Sequence, residues 1–318
     1  MAKILTPLEV KNRHGSMFSK RLITMVDEKA SRAKIFEECC AQGPVEWDAV
    51  NRLRAKGVIE HIEVQGTTLI MDTKIGEGHV RFGPASRETG GQALKSVVVK
   101  GGKVETTWMG LAGASVGVGA CLPQAEGVEK VEYLSDEQVG GSRMVEIRIT
   151  TPLHRRLVIG IDDTDTKEKG ATWVLGLRLG REMPHGIFLS HKIVQLNPHA
   201  PQKTTNCAAT AVSFAVAPEK VGDAIVWAKD YVSKGTYSDQ TAMAVYEGLE
   251  IPKKLVRFGA DAKDTIMSIH DAEHVAEQNG IRVLEITGRR GSIGALAAIG
   301  CFDLGLYAAG LPEDFKHA

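Results

Sequence analysis

The sequence predicts a protein of mixed α/β and α+β class, with an α+β module in residues 1–152 and an α/β domain in residues 153–318. Three observations support this division. The chain has 318 residues, which is long enough to bury two hydrophobic cores. Apolar residues make up 43% and charged residues 25%, as in ordinary globular proteins. Paired strand patterns dominate the first half, whereas strand and helix patterns alternate in the second half.

The charge balance and the cysteine content exclude several classes of protein. Lys plus Arg and Asp plus Glu number 39 each, so no global basic field indicates nucleic acid binding. The five cysteines are scattered without a CxxC pair, which argues against a zinc ribbon and a disulfide framework. No apolar run approaches the roughly 18 residues of a membrane span. We therefore expect a cytoplasmic protein without membrane contact.

Two helices and a hairpin form the predicted first part of the N-terminal module, in residues 1–73. Apolar spacing predicts one helix from about Glu28 to Cys40 and a second from Val45 to Ala55. Alternating residues then predict a hairpin around Gln65-Gly66. This order is typical of winged-helix units, which bind nucleic acid in some proteins and pack against partners in others. The balanced charge favours packing. The side chains predicted to face inward from the second helix are Trp47, Val50 and Leu53.

The sequence of the remainder of the module, residues 75–152, predicts mainly strands. Residues 75–94 are rich in glycine and predict an exposed loop. A hairpin is predicted around Gly101-Gly102, and two further strands at residues 130–134 and 144–150. The small residues at 110–121 lack the Gly-Lys-Ser/Thr ending of a phosphate loop. They predict a closely packed helix or turn instead.

An acidic loop follows the first predicted strand of the second domain. The strand covers the apolar run Leu157–Ile161, and three carboxylates follow within the next four residues. Carboxylates this close repel one another unless a cation, a proton or basic partners neutralise them. Gly170 and Thr172 come next, at the start of a predicted helix. This order suits a bound metal–nucleotide, and an Asp-rich helix-capping turn is the alternative. The three carboxylates are Asp162, Asp163 and Asp165.

A second candidate segment follows the strand predicted at residues 186–196. Two prolines keep residues 197–206 extended and stiff, so Lys203 is presented at a fixed distance from the strand end. A lysine there can pair with a phosphate as a point charge, or it is an ordinary solvated loop lysine. Asn197 stabilises the turn or bonds a ligand.

A third candidate segment lies near the end of the chain, where two arginines precede a helix of very small residues. Backbone N–H groups at the start of that helix, with Arg289 or Arg290 beside them, would form an anion site. Close packing that requires glycine and alanine is the alternative, and both interpretations are compatible. The other residues of this segment are Gly291, Ser292 and Gly294.

Three segments together resemble the catalytic half of TiaS, the archaeal tRNA-Ile agmatinylcytidine synthetase. They are residues 159–165 (IGIDDTD), 196–204 (LNPxxPxKT) and 291–300 (GxIGALAAIG), in the same order as in TiaS. The resemblance covers about residues 155–310. The whole chain, with its different N-terminal half, resembles methanogenesis marker protein 11, a family of methanogenic archaea.

The TiaS resemblance implies an ATP- and Mg²⁺-dependent kinase-like domain joined to a ferredoxin-like one. It implies that the three loop carboxylates hold Mg²⁺ and the nucleotide phosphates. Thr172 falls where TiaS carries a threonine that becomes phosphorylated, and Lys203 falls on a lysine of the TiaS motif. The turn Gly291–Gly294 would line the nucleotide site.

Two departures from TiaS affect the expected substrate. The arginine that follows Lys-Thr in TiaS is Thr205 here, and Trp173 stands beside the threonine. The OB-fold and zinc ribbon with which TiaS binds tRNA have no counterpart in the sequence. We therefore expect an acceptor other than tRNA, either a protein or a small molecule.

The predicted function is a Mg-ATP-dependent phosphotransferase or ATP-activating enzyme connected with methanogenesis, in the maturation of an enzyme or cofactor. A nucleotide-binding assembly subunit without turnover, docking a protein partner through its N-terminal half, is the first alternative. An RNA-modifying enzyme is the second. Predicted catalytic residues are Asp163, Thr172 and Lys203; predicted nucleotide-binding residues are Gly170, Asn197, Lys203, Thr204, Arg290, Gly291, Ser292 and Gly294; predicted metal ligands are Asp162, Asp163 and Asp165.

Overall fold

A computed structural model describes residues 3–135 and 137–316. The chain divides into two compact units, Met1–His154 and Arg155–Ala318. The division falls inside one long strand, Met144–Asp162, whereas the sequence predicts two strands with a break near Thr151-Pro152. Among the described residues, no helix combines the length and the apolar content needed to cross a bilayer.

The first unit contains two antiparallel groups of strands. One has the order β4-β5-β3-β2, and the other β6-β7-β8-β10-β9-β1. Helix α2 packs on β4 and β7. The elements are β1 (Lys3–Leu5), α1 (Pro7–His14), β2 (Ser19–Asp27), β3 (Arg32–Cys39), α2 (Gln42–Ala55), β4 (Ile59–Gln65), β5 (Thr68–Lys74), β6 (Gly76–Glu77), α3 (Pro84–Thr89), β7 (Gly91–Lys100), β8 (Lys103–Leu111), β9 (Lys130–Tyr133) and the start of β10 (Met144–Asp162).

Several predictions for the first unit are confirmed. The hairpins β4–β5 and β7–β8, the helix α2 and the strand β9 lie where the sequence predicts them. The small residues at 112–124 form short, tightly buried helical turns, in agreement with the packing interpretation. The loop predicted at 75–94 is only partly correct, because it contains β6 and α3.

The helix predicted from Glu28 to Cys40 is wrong, because this segment contains the strand β3. Its residues alternate between buried and half-buried positions, with Ala33, Ile35, Glu37 and Cys39 buried. A strand has this period of two. The predicted winged-helix order is therefore wrong for residues 3–74, where a strand pair, β2 and β3, lies between α1 and α2.

The orientation predicted for α2 is also wrong. Its buried face contains Asp48, Asn51 and Arg52, whereas Trp47 and Val50 are exposed. The Arg52 guanidinium donates to Glu37 at 2.5 Å, to Asp48 at 3.2 Å and to Gln92 at 3.0 Å. These bonds satisfy the buried charge and fix the rotation of the helix.

The second unit is an antiparallel sheet with helices on both faces. The strand order is β11-β12-β10-β13-β14. From β10 to β13 the chain has the βαββαβ order of ferredoxin-like folds, as the resemblance implies. The mixed α/β class is confirmed. The elements after β10 are α4 (Thr172–Glu182), β11 (Ile187–Gln195), β12 (Ala208–Val216), α5 (Val221–Gly235), β13 (Ala242–Glu247), α6 (Lys253–Asp264), α7 (Ile269–Gln278), β14 (Arg282–Glu285) and α8 (Ser292–Gly300).

Strand β10 is the centre of this sheet and directs its side chains to both layers. Leu157, Ile159 and Ile161 pack with α4 and α5 on one face. Val158 packs on the other face in a core that includes residues of α6, α7 and α8. Because both faces are covered, the strand is apolar from Leu157 to Ile161 apart from Gly160. It ends at Asp162, so the acidic loop lies at the edge where β10 leaves the sheet.

Candidate functional site

The acidic loop after β10 contains a residue in the left-handed backbone region. Asp163 has φ 56°, which is uncommon for a residue other than glycine. The Thr241 hydroxyl donates to the Asp163 carbonyl oxygen at 2.6 Å and helps to hold this conformation. Such backbone strain is concentrated at functional sites, where the surrounding structure supports it.

The Asp163 carboxylate is bound by an arginine from the loop before α8. Arg290 Nε donates to Oδ2 at 2.8 Å, and Nη2 donates to Oδ1 at 3.2 Å. The hydrogen bonds and charge of Asp163 raise the pKa of Arg290. Neighbouring Arg289 forms ion pairs with Glu285 and Glu273 instead. Of the two arginines in this loop, only Arg290 bonds the acidic loop.

The Asp162 carboxylate lies against the first turn of α8. A methyl group added at Gly294 would overlap the Oδ2 atom of Asp162, so the carboxylate can keep this position only opposite a glycine. Loss of hydration raises the pKa of Asp162 well above its usual range, and the charges of Asp163 and Asp165 raise it further. A cation at this position would relieve that repulsion.

The third carboxylate is bound by two hydroxyls. Thr172 donates to Asp165 Oδ1 at 2.8 Å, and Thr204 donates to Oδ2 at 3.1 Å. Thr172 is only 3% exposed, and its oxygen accepts from the backbone N–H and the hydroxyl of Thr164 at 3.2 and 3.0 Å. Asp165 therefore links the start of α4 to the segment after β11.

A polar cleft of about 260 Å³ opens beside the acidic loop. Its lining brings together Asp165, Gly170, Thr172, Lys203 and Thr204. Lys203 is exposed, and within the described ranges its ammonium group has no ion-pair partner. The cleft therefore contains both acceptors for a cation and a donor for an anion.

A second, more apolar cleft of about 100 Å³ adjoins the first. Leu196, Ile266 and Ile293 contribute apolar surface to its lining. The two clefts share part of their lining, and the residues common to both are Asp162, Asp163, Lys203 and Cys207.

A third cleft of about 500 Å³ shares Lys169, Gly170 and Ala171 with the lining of the polar cleft. Its lining includes three cationic residues and no acidic one. Lys234 is paired with Asp230 at 2.6 Å, and the Lys169 ammonium lies 4.1 Å from the centre of the Tyr237 ring. Arg178 has no ion pair among the residues that the structure describes.

Three of the predicted ligand-binding residues are already engaged or enclosed by the protein. The Asn197 side chain donates to the Asp264 carbonyl at 2.9 Å and accepts from the His199 N–H at 2.9 Å. It therefore stabilises the turn, although it also lines the apolar cleft. Gly291 packs against the backbone of Asp162 and Ala242. The Ser292 hydroxyl is buried and has no hydrogen-bond partner within residues 3–135 and 137–316.

The site residues predicted from the sequence do not include Cys207, Thr164 or Thr241. Cys207 lines both of the adjoining clefts and has φ 52°. Burial, with a contribution from Asp162, raises the pKa of its thiol to about 11. Its position directly after the Lys203–Asn206 segment was the available indication. Thr164 lies inside the IGIDDTD segment, between Asp163 and Asp165. Thr241 lies outside the three candidate segments and reaches the acidic loop through the tertiary structure.

The three loop carboxylates do not by themselves form a complete metal site. In the described part of the chain, no group of three or more His, Cys, Asp or Glu side chains is arranged to hold a metal ion. Asp163 is bound to Arg290, which leaves Asp162 and Asp165 as available oxygen donors. Mg²⁺ is usually bound through one or two carboxylates together with substrate phosphates. The donor set therefore fits Mg²⁺ that arrives with a phosphorylated ligand.

Comparison with known proteins identifies two kinds of relative. The profile of the TiaS TCKD domain matches residues 158–288. TiaS of Thermococcus sibiricus, a 2-agmatinylcytidine synthetase of an isoleucine tRNA, is 35% identical over 151 residues, which are 46% of this chain and 35% of that protein. The chain thus spans about a third of the length of TiaS. The crystal structure of a complex of TiaS with its tRNA and ATP aligns over 46% of this chain and 36% of that one, with 28% identity and a TM-score of 0.42.

A relative of full length comes from Methanocaldococcus jannaschii and bears the name "Uncharacterized protein MJ0921". It is 38% identical over 301 residues, which are 93% of this chain and 98% of the relative. The similarity therefore includes both units. The chain belongs to the family of MJ0921, and its second unit contains a domain related to the TCKD domain of TiaS.

Proposed function

We propose that the second unit binds Mg·ATP and uses it to phosphorylate or otherwise activate an acceptor other than tRNA. One observation supports this proposal above all. Asp162, Asp163 and Lys203 belong to the lining of both an apolar cleft and a polar cleft. A nucleotide has the same division, with an apolar base at one end and charged phosphates at the other.

The base would lie in the apolar cleft, among Leu196, Ile266 and Ile293. The phosphates would then extend past Lys203 into the polar cleft, where the ammonium group pairs with them as a point charge. Asp162 and Asp165 would hold Mg²⁺. When bound, Mg²⁺ would neutralise part of the negative charge of the phosphates. The hydroxyl of Thr172 would contact a phosphate or accept one.

Sequence similarity to TiaS supports ATP as the nucleotide. Solved structures of TiaS include complexes with ATP and with AMPCPP and agmatine. The matched region is about a third of TiaS, so the acceptor of TiaS does not carry over with it. The balanced charge of the chain, 39 basic and 39 acidic residues, also favours an acceptor other than RNA.

The acceptor would enter through the third cleft, which shares Gly170 with the polar cleft that Thr172 lines. Lys169 and Arg178 lie in its lining, and no carboxylate lies there to oppose them. This charge suits an anionic acceptor. A cytoplasmic location and a role in the maturation of a methanogenic enzyme or cofactor remain predictions from the sequence resemblance.

Calorimetry with ATP, in the presence and absence of Mg²⁺, followed by product analysis, tests the proposal. Binding that requires Mg²⁺, with ADP or AMP as product, supports it. Asp165→Asn should weaken Mg-dependent binding by about tenfold or more, because a carboxylate ligand is lost. Asp223→Asn, an exposed substitution in the first turn of α5, is the matched control and should bind normally. Absence of ATP binding by the folded wild type would refute the proposal.

A nucleotide-binding assembly subunit without turnover is the second candidate. Two observations favour it, because Arg290 neutralises the predicted catalytic carboxylate of Asp163 and the Thr172 hydroxyl is almost fully buried. This candidate predicts Mg-dependent ATP binding with no ADP or AMP formed. RNA modification, the third possibility from the sequence, predicts RNA binding with a steep dependence on salt concentration.

A further inference from the structure

Helix α2 of the first unit exposes an apolar stripe between Trp47 and Leu53. Trp47 is 56% exposed, Val50 52% and Leu53 58%. Residues three apart lie on one face of a helix, so these side chains are neighbours. Most large apolar residues of a helix in a small domain face the core, whereas in α2 only Val45 does so and the other three face away from it.

The internal bonds of α2 hold this stripe outward. The guanidinium of Arg52 is fully buried and bonded to the buried carboxylates of Glu37 and Asp48. Rotating the helix to bury Trp47 would expose this network and break its bonds. A buried charge that loses its partner is strongly destabilising, so such a rotation is disfavoured. The apolar stripe is therefore a fixed property of the surface.

We infer that two copies of the chain associate through α2, with the two helices antiparallel about a twofold axis at Val50. In such an interface each residue meets the one equally far on the other side of the axis. Val50 meets its own copy, and Trp47 meets Leu53 three positions away from the axis. Four positions away, Glu46 meets Arg54.

The charges on the stripe are complementary in this arrangement. Glu46 accepts a hydrogen bond from Gln42 at 2.7 Å, and Arg54 donates to Thr89 at 2.7 Å. Neither side chain has an ion pair in residues 3–135 and 137–316. Antiparallel pairing places Glu46 of one copy beside Arg54 of the other, so each gains a partner of opposite charge. The twofold axis produces this ion pair twice. A stripe for an unrelated partner has no need of such self-complementarity, which is why a second copy fits best.

Sedimentation equilibrium of the full chain measures the association directly. We expect a species of twice the 34.3 kDa chain mass, with a dissociation constant on the order of micromolar because one helix stripe is a small interface. Val50→Glu places two carboxylates at the axis and should give a monomer. Val226→Glu is the matched control, at a position 71% exposed on α5, and should leave the dimer unchanged. Circular dichroism would verify that both variants fold.

Charge reversal tests the antiparallel geometry. Glu46→Arg alone and Arg54→Glu alone each place like charges together, and should weaken association by about tenfold. The double variant restores opposite charges and should return to within about threefold of the wild type. A wild type that stays monomeric at about 100 µM, well above the expected dissociation constant, overturns the inference. So does a dimer that Val50→Glu leaves intact, or a double variant no tighter than the single ones.

Discussion

Arg290 and Asp163 form a two-point ion pair although 127 positions separate them in the sequence. Both nitrogens of the contact donate to separate oxygens of one carboxylate, at 2.8 and 3.2 Å. The pair joins the acidic loop after β10 to the loop before α8. It therefore connects two of the three segments that the sequence marks as candidate sites.

The ion pair predicts a contrast between two adjacent arginines. Arg290→Gln removes two hydrogen bonds to a half-buried carboxylate, so the free energy of unfolding should fall by about 1–3 kcal/mol. Arg289→Gln removes exposed pairs with Glu285 and Glu273, and should change it by less than about 1 kcal/mol. Urea denaturation measures both values. Equal effects of the two substitutions would show that the contact with Asp163 contributes nothing.

The close approach of Gly294 to Asp162 predicts a defect in ligand binding. In Gly294→Ala the new methyl group displaces the Asp162 carboxylate, so Mg-dependent ATP binding should weaken by at least about tenfold, with about 1–3 kcal/mol lost from stability. Gly222→Ala is the control, since that methyl group meets no atom within 4 Å and lies in helix α5. Calorimetry would compare them. Normal Mg-dependent ATP binding by Gly294→Ala would show that Asp162 does not take part in ligand binding.

The hydroxyl of Thr172 has three hydrogen-bond partners, which predicts a difference between Val and Ser at this position. Thr172→Ser keeps the hydroxyl and should retain ATP binding. Thr172→Val keeps the shape but leaves the Thr164 N–H without an acceptor, which should cost about 1–3 kcal/mol and weaken binding. Calorimetry and thermal unfolding measure these effects.

Mass spectrometry after incubation with Mg·ATP separates the two proposed roles of Thr172. A phosphoryl group on this residue identifies it as an acceptor. Mg-dependent turnover without that modification identifies the hydroxyl as a phosphate contact only.

The buried network of the first unit predicts a dependence of stability on pH. Burial raises the pKa of Asp48 from 3.8 to about 7, with Arg52 acting in the opposite direction and Glu37 adding to the increase. The folded protein therefore binds this proton more tightly than the unfolded chain. The resulting stabilisation is complete below about pH 3.8 and is lost as the pH rises through about 7.

Asp48→Asn removes this titrating group. The free energy of unfolding of the wild type, relative to that of the variant, should therefore decrease as the pH rises from about 4 to about 8. Exposed Glu63→Gln is the control and should show no such trend. Urea denaturation across this pH range measures the difference. A difference between wild type and Asp48→Asn that stays constant with pH would contradict the prediction.

The second unit could be predicted largely from local patterns. The apolar run Leu157–Ile161 predicts a buried strand, and the helical spacing after Thr172 predicts a helix. Both elements are present, as β10 and α4. The acidic loop is predictable because it follows the end of that strand. Its internal bonding is not, because Arg290, Thr204 and Thr241 reach it from distant segments.

Two errors in the first unit, the helix predicted at Glu28–Cys40 and the orientation predicted for α2, have one common cause. Glu37 points inward from β3 and Arg52 points inward from α2, so charged residues occupy core positions on both elements. Each charged residue interrupts the pattern of apolar residues that would otherwise identify the buried face of its strand or helix. The folded structure brings Glu37 and Arg52 together, so that each neutralises the charge of the other. In the sequence they are 15 residues apart, and this pairing cannot be recognised there.

Strand β10 and helix α8 meet through glycine. A methyl group at Gly160 would overlap the Ala295 carbonyl oxygen, and one at Gly291 would approach the backbone of Asp162. At these two glycines the contact is therefore one of main chain against main chain. We expect substitutions of core side chains away from these two glycines to leave the spacing between the acidic loop and Arg290 unchanged. The spacing between β10 and α8 beside the acidic loop is therefore determined by the backbone at Gly160 and Gly291.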